Sequence, residues 1–149
     1  MSLKSWMLVL ALAVNLYLCG VMVLFATVVY PQFGAAERSA FPPLYQAFNA
    51  RIGVPVVLFE FLALLVTLGL YVARPEGTPL WAVHLAVGLS LAYFAVTFGW
   101  HLPSHRLLAA GDNSAAALSP LLRSQWLRTG LQVLKGLLLG ALTARSMAP

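Results

Sequence analysis

Three charged residues stand where an apolar chain should carry none, and chemistry would be done around them. Glu60 interrupts the apolar stretch Val54–Ala73, and Arg128 and Lys135 interrupt Trp126–Ala144. Nine basic and four acidic side chains are all the charge in 149 residues, so three within such stretches is not background. An ionised group in hydrocarbon costs about 2.5–3.5 kcal/mol on insertion scales, so it normally faces a partner or a wet cavity. One carboxylate against two cations leaves a net positive pocket, suited to an anion, a phenolate or a quinone oxygen. The plainer alternative is an ion pair that only fixes helix register.

Helical spacing groups further polar residues with these three. Gln125, Arg128, Gln132 and Lys135 recur at intervals of 3, 4 and 3 residues, which traces one helical face. Glu60, Thr67, Tyr71 and Arg74 share a second face, Ser90, Tyr93, Thr97 and His101 a third, and Asn15 sits mid-way along the first apolar stretch. At about 1.5 Å per residue, Glu60 is roughly 10–12 Å below the loops, Arg128 somewhat shallower and Lys135 near the midplane. His101, His105 and Gln125 then crowd the mouth of the pocket.

His101 and His105 are an i, i+4 pair, a spacing that can hold one metal ion, and Glu60 could add a carboxylate. Pro103 between them kinks the helix, and two nitrogens underdetermine a metal site, so no metal centre is expected. No residue pattern names a cofactor. His84 enters from the opposite end and reads as a hydrogen-bonded packing histidine.

The elements that position these groups follow from composition. The chain is 61% hydrophobic with mean hydropathy +0.87, against roughly 45–50% apolar in soluble domains. Four stretches reach the about 20 apolar residues needed to cross a bilayer: about 5–30, 52–73, 79–101 and 121–145. Pro31 is expected to stop the first, the Arg74–Gly77 turn ends the second, and Pro79 opens the third. Short connections require antiparallel neighbours. The expected fold is therefore all-α, a single integral-membrane domain over residues 1–149 built as a four-helix up-down bundle. The first stretch exceeds the ~7–15 residues of a cleavable signal core, so it is expected to be retained.

The connections carry further expectations. Phe41, Leu44, Tyr45 and Phe48 fit a short helix lying at the membrane interface, as anchor or as lid over the pocket. Gly111-Asp112-Asn113-Ser114 ends one helix and caps the next, and Ser119-Pro120 precedes the fourth span. Gly136, Gly140 and Ala144 form a small-residue stripe for close helix approach, either within the bundle or to a partner. The formal net charge of +5 is scattered, which fits anionic head groups and excludes a nucleic-acid surface. Cys19 is the lone cysteine, so no internal disulfide forms.

His101-Leu102-Pro103-Ser104-His105-Arg106-Leu107, Gly111-Asp112 and Gln125-Trp126-Leu127-Arg128-Thr129 together resemble one family. It comprises small bacterial four-helix membrane proteins related to the fungal anthrone-oxygenase-like membrane proteins. Val29-Tyr30-Pro31, Phe41, Arg51-Ile52-Gly53 and Glu60 fit the same pattern. The chain departs from it at Gln125, where the family usually has Asn, and at Gln46 and Asn49, where it often has histidines. The resemblance implies residence in the bacterial inner membrane and oxidation of a lipophilic aromatic or quinone-like substrate. Arg128 and Lys135 would stabilise a phenolate, His105 or His101 would take the proton and Glu60 would balance charge and orient Arg128, while Gln125, Gln132, Lys135, Trp126, His101 and Asn15 would line the substrate. The competing expectation is a non-enzymatic accessory subunit or a lipophile- or pigment-binding protein, with a homo-oligomer or a larger membrane complex as its context.

Overall fold

A computed structural model, which describes residues 3–147, shows four helices, two of which run through the prolines expected to interrupt them, Pro31 and Pro103. Helix α1 spans Leu3–Ala35, α2 Phe41–Ala73 and α3 Leu80–Ala109, and α4 spans Ala115–Met147. The first three each contain one π-helical turn, at Phe25–Val29, Gly53–Leu58 and Thr97–His101. A proline ring collides with the carbonyl four residues earlier and donates no hydrogen bond of its own. The wider π turn moves that carbonyl aside. The carbonyls facing Pro31 and Pro103 belong to Thr27 and Gly99, and both lie within π turns.

Four expected boundaries are therefore corrected. Helix α1 continues past Pro31 to Ala35. The interfacial helix anticipated within residues 33–49 is no separate element, since the helical segment Phe41–Ile52 is wound directly into α2 through the π turn around Pro55. Helix α3 carries on past His101 to Ala109. Helix α4 starts at Ala115, six residues before the expected start, because Ser114 caps it: the Ala117 N–H donates to Ser114 Oγ at 3.3 Å. Pro120 is tolerated near that start.

Helices α1 and α3 each pack against α2 and α4, closing a ring joined by the connections 36–40, 74–79 and 110–114. Where α1 begins, the core is built of Leu8, Ala11, Leu70, Ala82, Val83, Ala86 and Leu139, and the small alanines bring the helices close. Where α1 ends, the core is aromatic, with Phe25, Tyr30, Phe33, Phe41 and Tyr45. Gly111 adopts φ +88° where α3 ends, and its N–H bonds the Leu108 carbonyl. Asn113 then donates from Nδ2 to the Phe33 and Ala36 carbonyls, pinning the end of α1 to the α3–α4 turn.

Polarity is inverted relative to a soluble bundle. Val72, Leu137 and Leu65 are among the most exposed side chains, whereas Asn15, Glu60, Gln125, Arg128, Gln132 and Lys135 are buried. Thr67, Ser90, Thr97, Thr129 and Thr143 are buried too, and each satisfies its hydroxyl on the carbonyl four residues earlier. Helices α1, α2 and α3 are long and apolar enough to cross a membrane. Helix α4 is as long as α1 and α2 but carries Arg123, Arg128, Lys135 and Arg145.

Candidate functional site

One hydrogen-bonded chain clasps all four helices. Gln125 on α4 donates from Nε2 to the Met22 carbonyl on α1 at 3.0 Å, and its Oε1 accepts from Arg128 Nη1 at 3.2 Å. Arg128 Nη2 donates to Glu60 Oε1 on α2 at 2.5 Å, the one ion pair among the described residues, with both side chains about 95% buried. Tyr93 on α3 completes the clasp, accepting from Arg128 Nη2 and donating to Glu60 Oε1. The guanidinium carbon also lies 4.7 Å from the centre of the Tyr93 ring. Each link needs a side chain that faces inward from its helix, which the 3.6-residue period supplies.

A second network stands beside the first. Ser124 Oγ bonds the Leu121 carbonyl at 2.8 Å and lies 2.9 Å from His101 Nδ1. His101 Nε2 is 3.2 Å from His105 Nε2, and the Tyr45 hydroxyl is 2.6 Å from His105 Nδ1. The result is a hydrogen-bonded chain from Tyr45 through His105 and His101 to Ser124, whose direction follows the histidine tautomers. Tyr30 Oη lies 3.2 Å from His101 Nε2 as well.

Both networks open on one cleft of about 440 Å³, within the about 300–1,000 Å³ of small-molecule sites. Glu60, Arg128, His101, His105, Tyr30 and Tyr45 supply its polar wall, and Phe25, Phe48, Phe61, Phe94 and Phe98 supply much of the rest. Phe25, Val56, Val57, Thr97, Phe98 and His101 all belong to π turns, so the proline-driven widening shapes this space directly. Arg128 Nε is buried and has no hydrogen-bond partner among the described residues.

The structure brings together Glu60, Arg128, His101 and His105, with Gln125 directly behind Arg128. Lys135 is buried but does not line the cleft, and the ion pair goes to Arg128 alone. Asn15 and Gln132 meet elsewhere, between α1 and α4, where Asn15 Nδ2 donates to the Gln132 carbonyl at 2.9 Å. Trp126 is 52% exposed on the outer surface, over a groove shared with Pro31 and Asn113. His84 bonds Tyr71 at the far end, 2.8 Å from its hydroxyl. Gly136 packs against Asn15 inside the bundle, so the small-residue stripe is partly used internally. Among the described residues no group of three or more His, Cys, Asp or Glu converges as a metal site.

Tyr30, Tyr45 and Ser124 were not legible as site residues. Tyr45 reads from sequence as an interfacial ring, yet it is buried against His105. Tyr30 precedes a proline expected to end its helix, and only the π turn carries the ring inward.

Fold and site together define an all-helical bundle with a charged, histidine-bearing cleft at its aromatic end. No family model, curated protein or solved structure matches this chain.

Proposed function

We propose that this chain is a four-pass membrane protein whose cleft receives a lipophilic phenol or quinone and acts on it as an oxygenase-like enzyme. Apolar residues outside, polar residues within and three helices of membrane-crossing length support the bilayer part of the reading. Polar side chains on α4 are kept inside the ring by contacts to α1, α2 and α3, so α4 can cross as the fourth span. The likeness to anthrone-oxygenase-related proteins at His101–Leu107 and Gln125–Thr129 supports the substrate class.

The observation that carries the ligand assignment is the Arg128 side chain, held by Glu60 and Tyr93, lining an aromatic-lined cleft. An oxygen of a flat aromatic ligand would lie against it, and the Phe rings would cover the ligand's faces. Charge on that oxygen would be stabilised by the guanidinium, which Glu60 and Tyr93 hold in place. A hydroxyl proton would pass to Tyr45 Oη as the Tyr45 proton moves onto His105 Nδ1. Molecular oxygen would be the oxidant, one oxygen atom becoming a new ring carbonyl and the other leaving as water with the two hydrogens lost from the substrate.

Titration of the detergent-purified protein with 1-naphthol or menadione, read by tryptophan fluorescence, tests the binding. One saturable equivalent is expected, with affinity at least about tenfold weaker in Arg128→Gln, or about 1.4 kcal/mol. No saturable binding would overturn the ligand reading. Saturable binding of anthrone without oxygen uptake would overturn the enzymatic part and favour a lipophile-binding protein.

A further inference from the structure

Three metal-ligating atoms converge on the wall of the cleft. His105 Nε2 and Tyr30 Oη both lie 3.2 Å from His101 Nε2.

We propose that His101 Nε2, His105 Nε2 and Tyr30 Oη together bind one divalent transition-metal ion of the copper or zinc class. Two nitrogens 3.2 Å apart, each about 2.0–2.1 Å from a shared ion, subtend about 100° at it, close to a tetrahedral or tetragonal angle. The pair is already spaced for the ion. Imidazole nitrogen with phenolate oxygen suits zinc or copper, the Tyr30 hydroxyl proton leaving to solvent as the ion binds, and copper(II) binds most tightly in the first-row order.

The surrounding hydrogen bonds close in the loaded form. With the ion on its Nε2, His105 carries its proton on Nδ1 and donates to Tyr45 Oη at 2.6 Å. The Tyr45 hydroxyl turns to the His105 carbonyl, which lies 3.3 Å away. His101 Nδ1–H keeps its bond to Ser124, which keeps its bond to the Leu121 carbonyl. Each ligating imidazole then donates its second N–H to an oriented hydroxyl oxygen, as metal-binding histidines do. The site needs only two histidines because the third donor is a tyrosine brought in by the π turn at Phe25–Val29. A ligand entering the cleft would meet the ion's remaining coordination positions, and the proton path from Tyr45 to His105 Nδ1 belongs to the metal-free form alone.

The test is equilibrium dialysis of chelator-washed, detergent-purified protein against copper(II), and separately against zinc(II), followed by electron paramagnetic resonance of the copper form. One equivalent is expected, with a superhyperfine pattern from two nitrogens. His105→Gln and His101→Gln should each weaken binding at least about tenfold, and Tyr30→Phe several-fold with the nitrogen pattern kept. His84→Gln should bind as the unaltered chain does. If His101→Gln fails to fold, His105→Gln, at a half-buried position, carries the test. Failure to retain one equivalent, or full affinity in His105→Gln, overturns the proposal, and full affinity in Tyr30→Phe removes Tyr30 from the site. Naphthol titration in excess chelator reports the aromatic-ligand reading separately, so either reading can fail while the other stands.

Discussion

The Glu60 carboxylate on α2 and the Arg128 guanidinium on α4 meet at 2.5 Å, 68 residues apart in sequence, with Tyr93 of α3 bonded to both. Charges this deeply buried are held by mutual satisfaction, so the pair acts as a unit whose halves are not separately expendable.

Removing one half should be worse than removing both. Arg128→Gln leaves the carboxylate buried without its cation, and such a break typically costs about 3–5 kcal/mol. Glu60→Gln strands the guanidinium in the same way. The double variant Glu60→Gln/Arg128→Met should recover much of the loss. Thermal unfolding in detergent measures the cycle, and strictly additive losses would show that the two charges are not coupled.

Two glycines four residues apart on α4 should respond oppositely to alanine. A Cβ at Gly136 would lie 2.9 Å from Asn15 Nδ2, so Gly136→Ala forces Asn15 away from its bond to the Gln132 carbonyl and destabilises the α1–α4 contact. A Cβ at Gly140 meets nothing within 4 Å. Gly140→Ala should gain up to about 1 kcal/mol from helix propensity. Unfolding midpoints of the two variants on either side of the parent would bear this out, whereas equal shifts would not.

Removing the Tyr93 hydroxyl separates clasp from ring. Tyr93→Phe keeps the aromatic face beside Arg128 but strands one buried donor and one acceptor, at a cost of about 1–3 kcal/mol. His84→Gln removes only the partly exposed bond to Tyr71, so stability should change by less than about 0.5 kcal/mol and ligand affinity not at all. A His84 variant that lost ligand binding would move the site to the opposite end of the bundle.

Acid should loosen the α3–α4 turn. The Ser114 N–H, donating to Asp112 Oδ1 at 2.9 Å, holds the exposed Asp112 carboxyl below its ordinary range. A carboxyl lowered in the folded state contributes stability that is complete above its unfolded value and is lost as pH falls through the lowered folded value. Exchange of the Ser114 amide should therefore gain protection as pH rises across that window, after correction for intrinsic exchange. Asp112→Asn should abolish the dependence.

Sequence by itself determined which residues had to be hidden. Charges inside apolar stretches demand partners, so Glu60, Arg128 and the i, i+4 pair His101 and His105 were legible as a cluster from spacing and depth alone. The all-helical class was legible as well, because apolar stretches of this length leave the backbone no other way to bond itself. Tertiary structure decided the partners and the shape. Arg128 rather than Lys135 takes the carboxylate, because Arg128 lies at the depth of Glu60 and Tyr93 whereas Lys135 sits two turns further along α4, outside the cleft. Tyr30 and Tyr45 reach the histidines from helices that continue past Pro31 and through Pro55, with a π turn just before the first proline and around the second. A proline's local preference is to break a helix, and only packing among four helices can favour widening the turn instead.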